Sequence, residues 1–372
     1  MNFSRIKKSL PAGFALFAML FGSGNLVYPL LIGQATKGSY LFGAIGLMLS
    51  SVIFGLIGHI GVMRYKGNIE EYFSELPRFL YFFMTLAIFL VIGPFLVIPR
   101  CALVAFGGLK ELIPTLSVIY FSCFYLALTF FLSLKEDKII DVIGKYLAPL
   151  KLGGILFVII GALYVLPEFE LPTTPWLDAI KDGITNGYKP MDLIGVLFFA
   201  NIVYKALDSQ LKKEKIKDQD ELQKRSVLVG IIGLGCVGVI YFPLLFLGAK
   251  YSLYTEGLPK EMLLPRITTI SLGKVASAAI AFTLFFSTLA TAVTLCNVFT
   301  EFLVTKLFKN TISRYIGLFI TVAISFIMTF LGFDFMDYVA GNYILNWLYP
   351  FIMTFVIFKF LKHYIQNCCS KI

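Results

Sequence analysis

The residues Gly22–Ser23–Gly24–Asn25 form a short polar stretch inside a long apolar run, and they are the first place where this chain could do chemistry. Two glycines, followed by Pro29, weaken a helix badly. A helix interrupted there frees carbonyl groups at the end of its first half and N–H groups at the start of its second half. The freed N–H groups suit a carboxylate, and the freed carbonyls with Asn25 suit a cation or an ammonium group. The stretch therefore predicts a binding site on a broken helix, as in secondary transporters. Close helix packing through small residues is the alternative.

A second group of polar side chains lies in FFSTLATAVTLCN, residues 285–297. Its hydroxyls recur at helical three- and four-residue spacing, at Ser287, Thr288, Thr291 and Thr294. Hydroxyls on one helix face could ligate a small hard cation or bond to a partner helix. The alternative is that each hydroxyl bonds back to a carbonyl of its own helix.

A third group surrounds the run from Gly187 to Leu207. Gly187 and Pro190 mark one end of this run, and Asn201 lies deep inside it. Its place five helices after the first break is where an inverted repeat would put a second break. Asp192 is interpreted as a helix cap, with a role in a site as the alternative.

Two basic residues, Arg100 and Lys151, fall inside apolar runs. Charged groups within a membrane are costly and mark functional sites by default. The alternative is that each side chain reaches the membrane surface with its charged end.

The elements that must position these residues are membrane helices. Hydrophobic residues make up 58% of the chain, charged residues 15%, and the mean hydropathy is +0.83. Apolar runs of about 20 residues recur throughout, and each is long enough to cross a bilayer as a helix. The pattern predicts an all-α integral membrane protein with ten spans, near 10–34, 41–63, 79–106, 116–134, 144–166, 184–206, 225–248, 270–303, 313–332 and 343–363.

The basic residues set the orientation of these spans. With the N-terminus inside, 22 of the 32 Lys and Arg residues fall on the inner side and 7 on the outer side. This bias predicts a multi-pass protein with both termini in the cytoplasm. The net charge of +10 and the Lys-rich stretch 211–217 are therefore interpreted as solvated inner loops, and no nucleic-acid partner is expected. The spans contain no paired carboxylates or nucleophile–base pair, which argues against a membrane-embedded enzyme. A channel is a further remote alternative, although the polar groups of the first, sixth and eighth spans converge within one chain.

Five stretches together resemble the bacterial branched-chain amino acid:cation symporters. They are GFALFAMLFGSGNLVYPLLIGQ, IPRCALVAFGG, DVIGKYLAPLKL, NGYKPMDLIGVLFF and STLATAVTL. The resemblance implies the leucine-transporter fold, in which five helices are followed by five inverted ones and helices 1 and 6 are broken. It implies a single domain over 1–372, with repeats at about 10–166 and 175–363. It also implies uptake of leucine, isoleucine, valine or methionine across the bacterial inner membrane.

The resemblance also implies roles for individual residues. Backbone groups of Gly22, Ser23 and Gly24 would bind the substrate carboxylate, and Asn25 would lie at the substrate or at a cation beside it. The facing break in helix 6 would comprise Phe199, Ala200 and Asn201. A cation site, with sodium as its ligand, would combine carbonyls of helix 1 with hydroxyls of helix 8, at Ala18, Phe21, Ser287, Thr288 and Thr291. No other cofactor is expected.

The chain departs from this family in three ways. It has ten predicted spans where members usually have twelve. The paired threonines of helix 8 are replaced by Ala290–Thr291, and helix 5 carries Lys151 at a position that is usually apolar. We hypothesise that Lys151 takes the place of sodium, because a desolvated lysine can carry a proton. Proton coupling or uncoupled exchange is then the alternative to sodium coupling.

Overall fold

The computed structural model of the chain describes residues 3–134, 148–167, 172–216 and 218–369, and these ranges are helical throughout apart from their connections. The α-helices are α1 (Phe3–Leu20), α2 (Ser23–Thr36), α3 (Tyr40–Leu47), α4 (Phe54–Met63), α5 (Ile69–Tyr72), α6 (Arg78–Leu90), α7 (Val97–Leu112), α8 (Val118–Ser133), α9 (Ala148–Tyr164), α10 (Trp176–Gly187), α11 (Asp192–Lys213), α12 (Gln219–Lys250), α13 (Ser252–Thr255), α14 (Leu263–Phe302), α15 (Arg314–Met336) and α16 (Asn346–Cys369). Segments of π-helix adjoin them at Met48–Ile53, Val91–Phe95, Leu303–Leu307 and Asp337–Leu345.

Several of these helices are membrane spans by length and composition. Within the described ranges, six helical runs are long and apolar enough to cross a membrane, or seven if the bent pair α1–α2 counts as one span. Shorter apolar helices lie at Val118–Ser133 and Leu152–Tyr164, where the fourth and fifth spans are predicted. The all-helical membrane fold is therefore confirmed, whereas the number of ten spans and the repeat boundaries stay predictions.

The first span is broken where the sequence predicts. The axes of α1 and α2 meet at 72°, and the break lies at Phe21 and Gly22. Gly22 has an extended backbone, with φ of −102° and ψ of −163°, and it precedes the first residue of α2. Its N–H donates to Oδ1 of Asn25 at 2.8 Å, so the asparagine caps the new helix across the break. The glycine–asparagine pair is thus the local cause of the bend.

The sixth span is broken too, but eight residues or more before Phe199–Asn201, so the predicted place of this break is wrong. Helix α10 ends at Gly187, and α11 begins at Asp192 after a turn in which Met191 is left-handed, with φ of 68°. Pro190 explains the position, because it disfavours helical geometry at the residue before it. By contrast, Phe199–Asn201 lie inside helix α11, which is continuous from Asp192 to Lys213 and contains no proline.

Two further interruptions shape the third and eighth spans, both of which are predicted to be unusually long. Gly93 is non-helical within the π-segment Val91–Phe95, beside Pro94, and it separates α6 from α7. Gly273 in α14 has a φ of 81°, so the residues before it form an attached helix and the span proper follows. The attached helix lies almost wholly before the predicted eighth span, which begins at residue 270, so it does not account for the predicted length of that span.

The helices pack in two sets. One set comprises α1, α2, α4, α11 and α12, and the other comprises α7, α8, α9, α14 and α15. Within the first set α2 and α12 touch backbone to backbone: a Cβ on Gly33 would overlap the carbonyl oxygen of Leu245, and one on Gly248 would overlap that of Leu30. The two sets meet where α2 contacts α7 and α14, next to both helix breaks.

Candidate functional site

A cavity of about 140 Å³ lies between the two sets of helices, and we call it the central cavity. Both broken spans contribute to its wall, together with α7 and α14. Its lining includes Gly22, Ser23, Gly24, Asn25, Arg100, Pro190, Met191, Phe198, Phe199, Ile202, Thr291, Leu295 and Val298. The central cavity is therefore mostly apolar, with peptide groups and one guanidinium group on one side.

The break in the first span presents the peptide groups. Ser23 and Gly24 are the first two residues of α2, so their N–H groups have no acceptor within the helix. The last carbonyls of α1 lie on the other side of the break and carry the opposite partial charge. All four residues from Gly22 to Asn25 line the cavity, and their role in binding stays a prediction. A small molecule with a carboxylate and an ammonium group matches this pair of helix ends.

Asn25 lines the same cavity, but its amide is already engaged. Its Oδ1 accepts from Gly22, and its Nδ2 donates to Asp192 at 2.8 Å and to the hydroxyl of Tyr241 at 2.5 Å. The side chain is only 1% exposed. Asn25 therefore holds the two breaks together, since it links the start of α2 to the start of α11.

Asp192 is the centre of a buried polar cluster. Its carboxylate accepts from Asn25, from the hydroxyl of Tyr241 at 2.6 Å and from the hydroxyl of Ser51. These donors come from α2, from α12 and from the π-segment Met48–Ile53 of the second span. Asp192 is the first residue of α11, after Met191 at the capping position, so its interpretation as a helix cap is wrong. Its carboxylate joins four spans of the first helix set.

The hydroxyls of α14 divide into two groups. Thr291 lines the central cavity and donates to the carbonyl of Ser287 at 3.2 Å. Thr288 donates to the carbonyl of Leu284 at 2.8 Å and accepts from Tyr125 of α8 at 3.1 Å. The bonds back to the helix's own carbonyls are thus present, as the alternative interpretation expects.

The residues predicted for the cation site are only partly brought together. Among the described residues, the cavity lining includes Thr291 but neither Ser287 nor Thr288, and neither Ala18 nor Phe21 of the first span. Helix α1 packs mainly on α12 and α11, while α14 packs mainly on α7 and α9. Lys151 belongs to α9, but its side chain lies outside the described part of the structure, so its role stays a prediction.

The residues predicted for the second break separate as well. Phe199 lines the central cavity, and its neighbour Phe198 does so too. Ala200 is fully buried and lies close to Gly67. A Cβ on that glycine would be only 2.6 Å from the carbonyl oxygen of Ala200. Asn201 is exposed. Of the three predicted residues, Phe199 alone faces the cavity.

A network of charges adjoins the central cavity through Arg100, on the side that the basic residues predict to be outer. Tyr28 of α2 bonds to Asp337, which also pairs with Lys260 at 2.7 Å and lies 3.9 Å from Lys189. Arg100 lies beneath this network, and its Nη1 donates to the Tyr28 hydroxyl at 3.2 Å. The sequence does not pair these residues, since they come from five distant segments.

A second cavity of about 380 Å³ lies on the other side, where the inner loops are predicted. It shares Phe198 and Val298 with the central cavity, and its wall includes Glu70 and Lys306. Ion pairs thus lie on both sides of the central cavity: the network around Asp337 on one side, and the exposed pair of Glu70 with Lys306, at 3.2 Å, in the wall of the wider space on the other.

The fold that carries this site is shared with solved secondary transporters. A Na⁺-coupled sialic acid symporter superimposes with a TM-score of 0.59 and 12% identity, over 95% of this chain and 78% of that one. MhsT, solved in complex with L-phenylalanine, superimposes with a TM-score of 0.57 and 17% identity, over 92% and 85%. At these identities the likeness shows the fold alone, which is the leucine-transporter fold.

The family follows from the sequence. Residues 5–371 match the model of the family described as "Branched-chain amino acid transport protein", and the chain therefore belongs to that family. It is 26% identical over 359 residues to the branched-chain amino acid permease BrnQ of Bacillus subtilis, covering 94% of this chain and 80% of BrnQ. It is 29% identical over 252 residues to the permease BraB of the same species, covering 66% of this chain and 56% of BraB. The resemblance found in the sequence is confirmed, and the chain spans little more than half the length of BraB.

Proposed function

We propose that this protein takes up branched-chain and similar apolar amino acids, namely leucine, isoleucine, valine and methionine, by cation-coupled alternating access in a bacterial inner membrane. The observation that carries the proposal is the central cavity, which combines the open peptide groups of a broken helix with an apolar wall. The α-carboxylate lies at the start of α2, around Ser23 and Gly24, and the ammonium group lies at the end of α1. The aliphatic side chain packs against Phe199, Ile202 and Leu295.

Alternating access is supported by two polar clusters beside the central cavity, which connect different sets of helices. The network around Asp337 joins α2 to segments outside the first helix set, so it must open before an amino acid can enter from that end. The cluster around Asp192 joins only members of the first set, so it can persist while that set moves. This arrangement favours rocking of one helix set against the other around a fixed site.

The coupling ion has two candidates. Sodium would bind between the carbonyls of Ala18 and Phe21 and the hydroxyls of Ser287, Thr288 and Thr291. A proton carried by Lys151 would replace it. The engagement of Thr288 by Tyr125, together with Ala290 beside Thr291, favours the lysine, because fewer hydroxyls are left to ligate sodium.

Uptake of labelled leucine into proteoliposomes tests both parts of the proposal. Saturable uptake that is competed by isoleucine, valine and methionine is expected, and its absence for every one of these would refute the substrate class. Sodium and pH gradients are then imposed separately. Lysine coupling predicts uptake that responds to pH, persists without sodium and is lost in Lys151→Met. Lys274→Met is the control, because this lysine is exposed on α14. Strict sodium dependence that survives Lys151→Met would rule out the lysine.

A further inference from the structure

Arg100 is a buried positive charge in the wall of the central cavity, and the proposed function assigns it no role. Helix α7 begins at Val97 after the break at Gly93, and this places Arg100 in its first turn. The side chain is only 1% exposed. Because a guanidinium group stays charged in a protein, burial within a membrane span is costly unless a partner compensates it.

The hydrogen-bond partners of Arg100 are neutral groups. Its Nη1 donates to the hydroxyl of Tyr28 at 3.2 Å and to the backbone carbonyl of Lys189 at 3.3 Å. Its Nε is buried and has no hydrogen-bond partner in the part of the chain that the structure describes. The nearby carboxylates serve other groups, since Asp192 accepts from three neutral donors and Asp337 pairs with lysines. The guanidinium therefore has donors to spare and no counter-ion at pairing distance among the described residues.

The guanidinium lies directly against the first turn of α2. A Cβ on Gly24 would be 2.9 Å from Nη2 and 3.1 Å from Cζ of Arg100. The free N–H groups of Ser23 and Gly24 belong to this same turn. An anion in the central cavity would thus be attracted by two independent groups, the N-terminus of α2 and the planar guanidinium group of Arg100. A carboxylate matches both, because guanidinium binds it with two parallel hydrogen bonds.

We propose that Arg100 is a direct ligand of the substrate carboxylate and makes the α-carboxylate a requirement for binding. The inference rests on the proposed function, since it names which group of the amino acid α7 recognises. The amino acid supplies the counter-ion that the buried guanidinium lacks. An amine or alcohol of the same shape leaves that charge uncompensated and is rejected.

The test measures ligand binding to the whole chain in nanodiscs, and it combines substitutions in the protein with a change of one group in the ligand. Binding of leucine is compared with binding of leucinol, in which a hydroxymethyl group replaces the carboxylate. The variants are Arg100→Met, Arg100→Lys and the control Arg78→Met, an exposed arginine at the start of the same predicted span. In the wild type we expect leucine to bind on the order of 10–100-fold more tightly than leucinol, the size of one or two charge-assisted hydrogen bonds.

In Arg100→Met we expect the preference for leucine to fall by about tenfold, because leucine loses the guanidinium and leucinol does not; the start of α2 supplies any remaining preference, and Arg78→Met keeps the full ratio. Equal losses for both ligands would mean that Arg100 acts on packing or on the outer network, and would overturn the proposal. If Arg100→Met does not fold, Arg100→Lys provides the test. A single ammonium group should reduce the ratio of leucine affinity to leucinol affinity, and an unchanged ratio refutes the proposal.

The failure of this inference and that of the proposed function are distinguishable. Wild-type protein that binds none of the four apolar amino acids refutes the function itself. Wild-type protein that binds leucine tightly, together with an Arg100→Met variant of unchanged preference, refutes the inference alone.

Discussion

Alanine at Gly24 is predicted to disrupt the central cavity, whereas alanine at Gly22, two residues earlier, is predicted to be accepted. The added methyl group at Gly24 would lie 2.9 Å from Nη2 of Arg100 and 3.1 Å from Cα of Pro190. The end of the Arg100 side chain can move away from the added methyl group. The Cα of Pro190 is a backbone atom, so it can move only if the turn of the sixth span shifts with it. At Gly22 the nearest atoms would be 3.7 and 3.8 Å away, and the extended backbone suits alanine.

The magnitude follows from these distances. Extra methyl groups in well-packed sites lower the free energy of unfolding by about 1–3 kcal/mol. For Gly24→Ala we expect a loss of about 1–2 kcal/mol, because movement of the Arg100 side chain relieves part of the overlap. Gly22→Ala should change the free energy of unfolding by less than about 0.5 kcal/mol, since its methyl group meets only ordinary contacts. Displacement of the guanidinium should also weaken leucine binding in Gly24→Ala, by about tenfold for each 1.4 kcal/mol.

The assay is thermal unfolding of both variants in detergent, followed by leucine binding in nanodiscs. Midpoints are compared at one protein-to-detergent ratio, so that lipid and detergent contributions cancel. A Gly24→Ala variant as stable as Gly22→Ala, with wild-type leucine affinity, would refute the close approach of α2, α7 and the 188–191 turn.

Three further predictions concern stability. Asp192→Leu removes the acceptor of three buried donors, so it should cost about 3 kcal/mol or more in thermal unfolding, and wild-type stability would contradict the cluster. Hydrogen bonds from Arg225 and then Lys8 lower the pKa of Glu214 in the inner loop to about 2. Its contribution to stability is therefore full above pH 4.5 and is lost as the pH falls towards 2, so the difference in midpoint between wild type and Glu214→Gln should shrink below pH 4.5. Gly235→Ala should stabilise α12 by about 0.5–1 kcal/mol, because a Cβ there meets nothing within 4 Å; a lower midpoint would show a contact that the structure lacks.

The parts of the site that depend on local sequence could be predicted, and the parts that depend on distant contacts could not. The break at Gly22 is local, because glycines and Asn25 weaken and cap the helix within four residues. The break before Asp192 also has a local signal in Gly187 and Pro190, but the same two residues fit the end of a span equally well.

Arg100 and Asp192 show where sequence reasoning stops. Both are recognisable as charges within or beside a membrane span, yet surface exposure and burial give the same local pattern. The partners that decide between them, such as Tyr28 for Arg100 and Tyr241 for Asp192, are 72 and 49 residues away. Only the packing of α2, α7, α11 and α12 brings them together.

The backbone contact of α2 with α12 limits how the transporter can change shape. Gly33 and Gly248 leave no space between these two helices, so neither can slide or turn against the other without a collision of main-chain atoms. The second half of the first span and the seventh span must consequently move together as one rigid unit. Bending of the first span is then confined to the break at Phe21–Gly22, at the start of α2. A cross-link between α2 and α12 should leave transport intact, whereas one across this break should arrest it.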